Sequence, residues 1–159
     1  MKTQWMKRAL VGMGALMAVG GFSGVASAAS DTVYGGGQCM PKTASDGYYL
    51  ARYTLFLAND GQTMATVICP VDRTNTTNTT GTSAAWVRVK SNAGASLTCQ
   101  LSALGQYGNV IQTKAVTTTS NNDTSLNVDV NSSAANGHYA IQCVVPPGGR
   151  VYSYRIMEP

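Results

Sequence analysis

Beyond residue 28, the apolar residues of this 159-residue chain recur at every second position in a series of short runs. In one run, Val87 and Val89 alternate with Trp86, Arg88 and Lys90. Residues two apart on an extended chain point to the same side, so each run predicts a strand that is buried on one face. Further runs of this kind lie at 97–102, 109–118, 126–130, 139–145 and 151–157.

Clusters of glycine, proline and asparagine separate these runs, and we expect no helix beyond residue 28. About eight short strands with turn residues between them predict an all-β fold, an antiparallel β-sandwich with a jelly roll as one arrangement. In the last run, we expect Tyr152, Tyr154 and Ile156 to share the face at the core or its rim, opposite Ser153 and Arg155.

The segments between and before these runs carry weaker signals. Runs 48–58 and 64–70 flank the tetrapeptide Asn-Asp-Gly-Gln at 59–62, which predicts a β-hairpin. Residues 29–37 end in three glycines and predict a loose lead-in, and the polar segment 74–83 predicts an exposed loop.

The first 28 residues have the three parts of a secretory signal peptide. Lys2, Lys7 and Arg8 form a positive start, residues 9–22 are apolar, and Ala-Ser-Ala at 26–28 matches a cleavage site. The apolar part is shorter than the roughly 20 residues that cross a bilayer. We therefore expect a secreted or periplasmic protein without a membrane span.

Cleavage after Ala28 would leave residues 29–159, a length that suits a single β-sandwich domain with its own core. It would also lower the formal net charge from +4 to +1, because three of the 11 basic residues belong to the leader. So small an excess of basic residues provides no basic cluster to bind a phosphate backbone, and we expect no nucleic acid among the partners.

All four cysteines, Cys39, Cys69, Cys99 and Cys143, lie in the exported part. An even number in an oxidising compartment predicts two disulfides, for which three connectivities are open. We favour Cys39 with Cys69 and Cys99 with Cys143, because each pair closes a moderate loop and the second pair joins core-facing positions. The spacing lacks Cys-x-x-Cys and the chain has a single histidine, so we expect no metal site and no cofactor.

The candidates for catalysis are sparse. His138, the one histidine, follows Asn-Gly at the start of a predicted strand, where an exposed structural role is expected. The acidic residues fall mostly in turns or tails, and Asp72 and Glu158 are expected to pair with arginines. We therefore expect no catalytic residue and a protein that is not an enzyme.

Trp86 would point away from the core if the valines of its run face inward. An outward aromatic ring can stack on a sugar, so Trp86 and Tyr107, with Tyr48 or Tyr49, form a candidate ligand site. The alternative is that the register is opposite, or that a loop covers Trp86, and the ring belongs to the core.

Three segments that each contain a cysteine, and a fourth near the end of the chain with alternating tyrosines, stand out: 69–73, 97–99, 139–148 and 152–158. In these segments, the chain resembles a family of uncharacterised secreted bacterial proteins that are β-rich and hold two disulfides. That family has no known activity, so the resemblance implies export from a bacterium and no mechanism.

Three functions fit these observations. The first is a secreted, non-catalytic interaction protein whose ligand, a glycan or another protein, is not given by the sequence. The second is a carbohydrate-binding module that uses Trp86. The third is a self-assembling subunit of a cell surface or matrix, since edge strands can pair between chains.

Overall fold

The computed structural model describes residues 32–73 and 82–158, which form an antiparallel sandwich of two β-sheets. The predicted all-β fold is confirmed, with eleven strands where about eight were expected. The additional strands are short segments near the start of the described chain. The strands are β1 (Val33–Gly35), β2 (Met40–Pro41), β3 (Leu50–Arg52), β4 (Leu57–Asn59), β5 (Ala65–Cys69), β6 (Ser83–Lys90), β7 (Leu97–Leu104), β8 (Val110–Thr118), β9 (Thr124–Val130), β10 (His138–Val145) and β11 (Arg150–Met157).

Sheet A has the order β3-β4-β11-β6-β9, with β1 also paired to β11, and sheet B has the order β2-β5-β10-β7-β8. Every strand pair is antiparallel. The long strands, from β6 to β11, coincide with the six runs of period-two alternation. The two agree because the alternation of apolar residues depends only on which face of a strand is buried, which is a local property.

The core lies between the sheets and consists of the inward positions of their strands. Val87 and Val89 are fully buried, as the alternation predicts, whereas Arg88 between them is exposed. Each such valine contributes about 1.5–3 kcal/mol by leaving water. Tyr154 is also fully buried, stacks on Tyr34 with ring centroids 5.2 Å apart, and has a pKa that burial raises above its usual range.

Both disulfides have the favoured connectivity, and both lie in sheet B. Cys99 and Cys143 are direct cross-strand partners on β7 and β10, with a Cα–Cα distance of 4.1 Å. Cys39 and Cys69 join the residue before β2 to the end of β5, with a Cα–Cα distance of 4.0 Å. All four are fully buried, so the bridges face the core.

The predicted hairpin of 48–58 and 64–70 is wrong. β4 pairs with β3 and β11 in sheet A, whereas β5 pairs with β2 and β10 in sheet B. The first run is itself folded back, because β3 and β4 form a hairpin that closes where the Tyr53 N–H donates to the Phe56 carbonyl at 2.9 Å.

Asn59 fixes the corner at which the chain leaves sheet A for sheet B. Its buried side-chain amide donates to the carbonyls of Thr63 (2.7 Å) and Val145 (2.8 Å), and its Oδ1 accepts from the Gly61 N–H at 3.0 Å. A buried amide with these partners holds one backbone path. The turn predicted at 59–62 is therefore correct as a change of direction and wrong as a link between paired strands.

The lead-in is not loose where the structure describes it. β1 pairs with β11, and Gly36 is buried so closely against Val151 that any side chain would collide with the Val151 carbonyl. A 3-10 turn (Gly36–Gln38) and a single-turn helix α1 (Ala44–Gly47) follow. The expectation of no helix fails at these two short turns.

A buried ion pair joins the ends of the two sheets. The Arg73 Nε, beyond β5, lies 3.0 Å from Oε1 of Glu158, beyond β11, and the two side chains are only 5% and 4% exposed. The Arg73 guanidinium also donates to the carbonyls of Ala134 and Gly137, just before β10. The expected pairing of Glu158 with an arginine is confirmed, and the pair clamps sheet A to sheet B.

The leader at 1–28 and most of the polar segment 74–83 lie outside the described residues. Ser83, the last residue of that segment, belongs to β6 and places its hydroxyl 2.7 Å from the Tyr139 hydroxyl. Within the described ranges, no helix has the length and apolarity needed to cross a membrane.

Candidate functional site

Three large aromatic side chains lie outside the core on the outer face of sheet A: Phe56, Trp86 and Tyr152. Trp86 takes an outward position on β6, between the fully buried Ala85 and Val87. Its ring is half-buried because the Arg155 guanidinium stacks over it at 4.7 Å. The tryptophan is therefore a surface residue held in a fixed orientation.

Phe56 is the centre of a second group, the hairpin cluster, which also contains Tyr53 and Tyr152. The Tyr53 and Phe56 rings stack with centroids 4.5 Å apart, and the Phe56 and Tyr152 rings meet at 5.8 Å in a tilted arrangement. The tight turn between β3 and β4 brings Tyr53 and Phe56 together. The Tyr53 hydroxyl also lies 3.2 Å from a carboxylate oxygen of Asp60.

A β-bulge explains why Tyr152 joins this cluster. On β11, Val151 pairs with Val89, but the next partner, Arg88, pairs with Ser153. The additional residue shifts the alternation, so Tyr152 packs against Phe56 instead of sharing the buried face of Tyr154. The expectation that Tyr152, Tyr154 and Ile156 share one face is therefore wrong for Tyr152.

Arginine side chains accompany both aromatic groups. The Arg150 guanidinium lies over the Phe56 ring at 5.1 Å, in the same relation as Arg155 to Trp86. Such cation–π contacts contribute about 0.5–1 kcal/mol at exposed sites. They also order long side chains that would otherwise be mobile, so the charges on this face keep a defined position.

The outer face of sheet A carries more positive than negative charge. Four basic residues point outward from β6 and β11. Three acidic side chains lie nearby: one pairs with Arg88 at 3.4 Å, one lies opposite Ala84, and one contacts the Tyr53 hydroxyl of the hairpin cluster. The basic residues are Arg88, Lys90, Arg150 and Arg155, and the acidic residues are Asp123, Asp129 and Asp60.

The structure does not bring Tyr107 together with Trp86. Tyr107 is 91% exposed in the turn between β7 and β8 of sheet B, whereas Trp86 projects from sheet A away from sheet B. Tyr48 is 85% exposed just after α1, and the Tyr49 ring packs against Gly61. The sequence-predicted aromatic residues are thus spread over separate surfaces.

The site is a surface and not a cavity. The described residues enclose no pocket, and among them no group of three or more His, Cys, Asp or Glu side chains converges as a metal site would require.

His138 begins β10 and is exposed on the outer side of sheet B, as the sequence suggested. Asp72 is exposed as well, whereas Glu158 forms the buried ion pair with Arg73. Among the described residues, no acid–base constellation forms around the histidine. That the protein is not an enzyme stays a prediction.

Sequence reasoning missed Tyr53, Phe56 and Arg150 as surface residues. The first two lie in a run that reads as one continuous strand, and the tight turn inside it has no glycine or proline to mark it. Arg150 follows a Pro-Pro-Gly-Gly segment and looks like an ordinary strand end. The sequence indicated this surface through Trp86 alone, because the alternation of its strand excludes it from the buried positions.

No family model and no curated protein matches the chain. The fold resembles that of BiXyn10A CBM1 in its apo form, with a TM-score of 0.48 and 8% identity, and the match covers 81% of this chain and 98% of that one. It also resembles the carbohydrate-binding module CBM6cm-2 from Cellvibrio mixtus lichenase 5A, solved with cellotriose (TM-score 0.45, 16% identity, 80% and 97% covered). A third similar structure is CBM35 from Paenibacillus barcinonensis, with a TM-score of 0.42 and 15% identity, and the match covers 80% of this chain and 99% of that one.

Proposed function

We propose that the protein is a non-catalytic carbohydrate-binding domain whose ligand lies along the outer face of sheet A. The observation that supports the proposal is the set of aromatic rings outside the core, Phe56, Trp86 and Tyr152, two of them fixed by stacked arginines. In the proposal, the exported domain comprises residues 29–159 after removal of the leader.

The chemistry of the face suits a polysaccharide. The axial C–H groups of a pyranose ring form an apolar surface that stacks on an aromatic face, while its hydroxyls need donors and acceptors at the edge. Arg88 and Ser153, which are cross-strand partners on this face, provide such groups between the aromatic positions, and Asn127 on β9 provides one beside Trp86. Trp86 and the hairpin cluster would then contact different sugars of one chain.

This proposal retains Trp86 as a ligand residue and does not require Tyr107. Aromatic anchors near the centre of an interface carry most of its binding energy, and truncating one typically costs about 2 kcal/mol. We therefore expect Phe56→Ala or Trp86→Ala to weaken binding at least about tenfold. Tyr107→Ala removes an aromatic ring of sheet B that is more exposed than either, and it should leave binding unchanged.

The test is a pull-down of the mature, oxidised protein on a panel of insoluble polysaccharides and cell-wall material, followed by titration with soluble fragments. Removal of the leader removes Trp5, so Trp86 fluorescence reports on the face directly. Near-ultraviolet circular dichroism checks that each variant is folded. Binding that survives in the Phe56→Ala/Trp86→Ala double variant, or that Tyr107→Ala abolishes, would overturn the proposal.

Self-assembly remains a second candidate because of one observation. β8 (Val110–Thr118) is the last strand of sheet B, and among the described residues no strand pairs with its outer edge. Val110 is 64% exposed there, while Lys114 places a charge in the middle of the strand, a feature that opposes pairing between chains. Light scattering of the oxidised protein across concentration distinguishes the two candidates.

A further inference from the structure

The charges of the described chain are concentrated on the face to which we assign the ligand. Eight basic residues lie beyond the leader, and half of them, Arg88, Lys90, Arg150 and Arg155, point outward from two neighbouring strands of sheet A. The excess of one positive charge beyond the leader therefore understates the local field. A cluster of this kind attracts an anion more strongly than the net charge indicates.

The opposite face provides an internal comparison. The strand residues on the outer side of sheet B include no lysine, arginine, aspartate or glutamate, and hydroxyls pair across its strands, as in Thr98 with Thr117 and Ser102 with Thr113. Both sheets have solvent on their outer sides, so solubility alone does not require cations on one of them.

Lys90 and Arg150 have no acidic partner among the described residues. They are direct cross-strand partners at the end of β6 and the start of β11, and both point outward. Like charges in this relation destabilise a sheet. Neither forms an ion pair among the described residues, whereas Arg88 has Asp123 at 3.4 Å. Arg150 also holds its guanidinium over Phe56, next to the ring that would stack on a sugar.

We infer that the ligand of this face is an acidic polysaccharide, with an anionic group of a sugar held between Lys90 and Arg150 while its ring stacks on the hairpin cluster. The inference rests on the proposed function and specifies its ligand class. A guanidinium donates two parallel hydrogen bonds to a carboxylate or sulfate, and an ammonium adds a compact charge beside it. The bound anion also removes the repulsion between the two cations.

The experiment compares two forms of one polymer. Polygalacturonate carries a carboxylate on each sugar, and its fully methyl-esterified form keeps the same rings without the charge. We expect the acid form to bind at least about tenfold tighter at low salt, the effect of a charge-assisted hydrogen bond, with the preference decreasing as salt is added. Dextran sulfate in place of polygalacturonate distinguishes sulfate from carboxylate as the recognised group.

Lys90→Gln and Arg150→Gln should each reduce the preference for the acid form over the methyl ester about tenfold. Lys114→Gln is the matched control, since it removes the same charge from an exposed strand position of sheet B and should have no effect. Both test residues are at the surface, so the variants are expected to fold.

Each other outcome counts against a specific step. No binding to either polymer, to dextran sulfate or to the neutral panel would overturn the proposed function itself. Equal binding of the acid and its ester, or a preference that survives in both glutamine variants, would overturn only the inference of an acidic ligand. Single-stranded DNA that binds as tightly as polygalacturonate through Lys90 and Arg150 would show a general polyanion surface and overturn the inference as well.

Discussion

The two sheets of the sandwich differ in how they are stabilised and in what they present to solvent. Sheet B holds both disulfides, and the strand residues on its outer face include no lysine, arginine, aspartate or glutamate. Sheet A holds the outward aromatic rings and half of the basic residues beyond the leader. The comparison indicates a division of roles, in which a cross-linked sheet supports a sheet whose outer face is free to carry repelling charges. Variants that weaken sheet B should therefore lower the stability of the protein without abolishing glycan binding to sheet A.

The largest expected effect comes from breaking the clamp between the sheets. Arg73→Met leaves the Glu158 carboxylate buried without its main partner, which typically costs about 3–5 kcal/mol in the free energy of unfolding. Urea unfolding of the oxidised protein measures this loss. Arg88→Met, which breaks the exposed pair with Asp123, is the control and should cost at most about 1 kcal/mol. Equal losses in the two variants would contradict the role of the clamp.

Removing a disulfide tests the support that sheet B gives. On the chain-entropy model, replacing Cys99 and Cys143 by alanine should lower the free energy of unfolding by about 3.5–4 kcal/mol. The Cys39–Cys69 pair closes a shorter loop, 30 residues against 44, so its removal should cost about 0.3 kcal/mol less. Guanidinium unfolding gives both values. If the folded variants lose glycan binding, the separation between the two sheets is contradicted.

The smallest effect concerns the helix that adjoins sheet B. A hydrogen bond from the Thr43 hydroxyl, and then one from the Thr66 N–H, hold the pKa of Asp46 below its ordinary value of 3.8. The stability from this carboxylate is therefore present at neutral pH and is lost as the pH falls through the lowered pKa. Asp46→Asn should cost about 1 kcal/mol at neutral pH, the usual value of a capping interaction.

The measurement for Asp46 is the difference in unfolding free energy between wild type and Asp46→Asn across pH. That difference should shrink in acid, because the wild-type carboxyl group is then protonated and as neutral as the asparagine amide. A difference that stays constant from neutral pH into acid would show that the hydrogen bonds, and not the charge, account for the effect.

The sequence predicted much of the architecture because alternation is a local property. It placed the six long strands, and the parity of Cys99 and Cys143 within their runs correctly predicted that they bond on the core side. It failed where the structure depends on distant partners. The direction of the chain after Asn59 is decided by a hydrogen bond to the Val145 carbonyl, 86 residues away.

The candidate site was less predictable than the fold. Trp86 was visible because its valine neighbours assign it to the outer side of β6. Tyr152 was not, since a single bulged residue in β11 changes its side and the bulge depends on how β11 pairs with β6. Phe56 was hidden in a run whose internal turn lacks the usual turn residues.

By itself, the sequence determined that the fold is all-β, where the long strands lie and, for most of them, which face is buried. Among three open connectivities, it favoured the cysteine pairing that the structure has. These properties follow from the period of apolar residues and from parity, which act within one strand or between two. Only the tertiary structure decided that Lys90 lies opposite Arg150, that Phe56 meets Tyr152, and that half of the cations share one face. Strand order and register bring together residues from distant parts of the chain, and no local pattern encodes that adjacency.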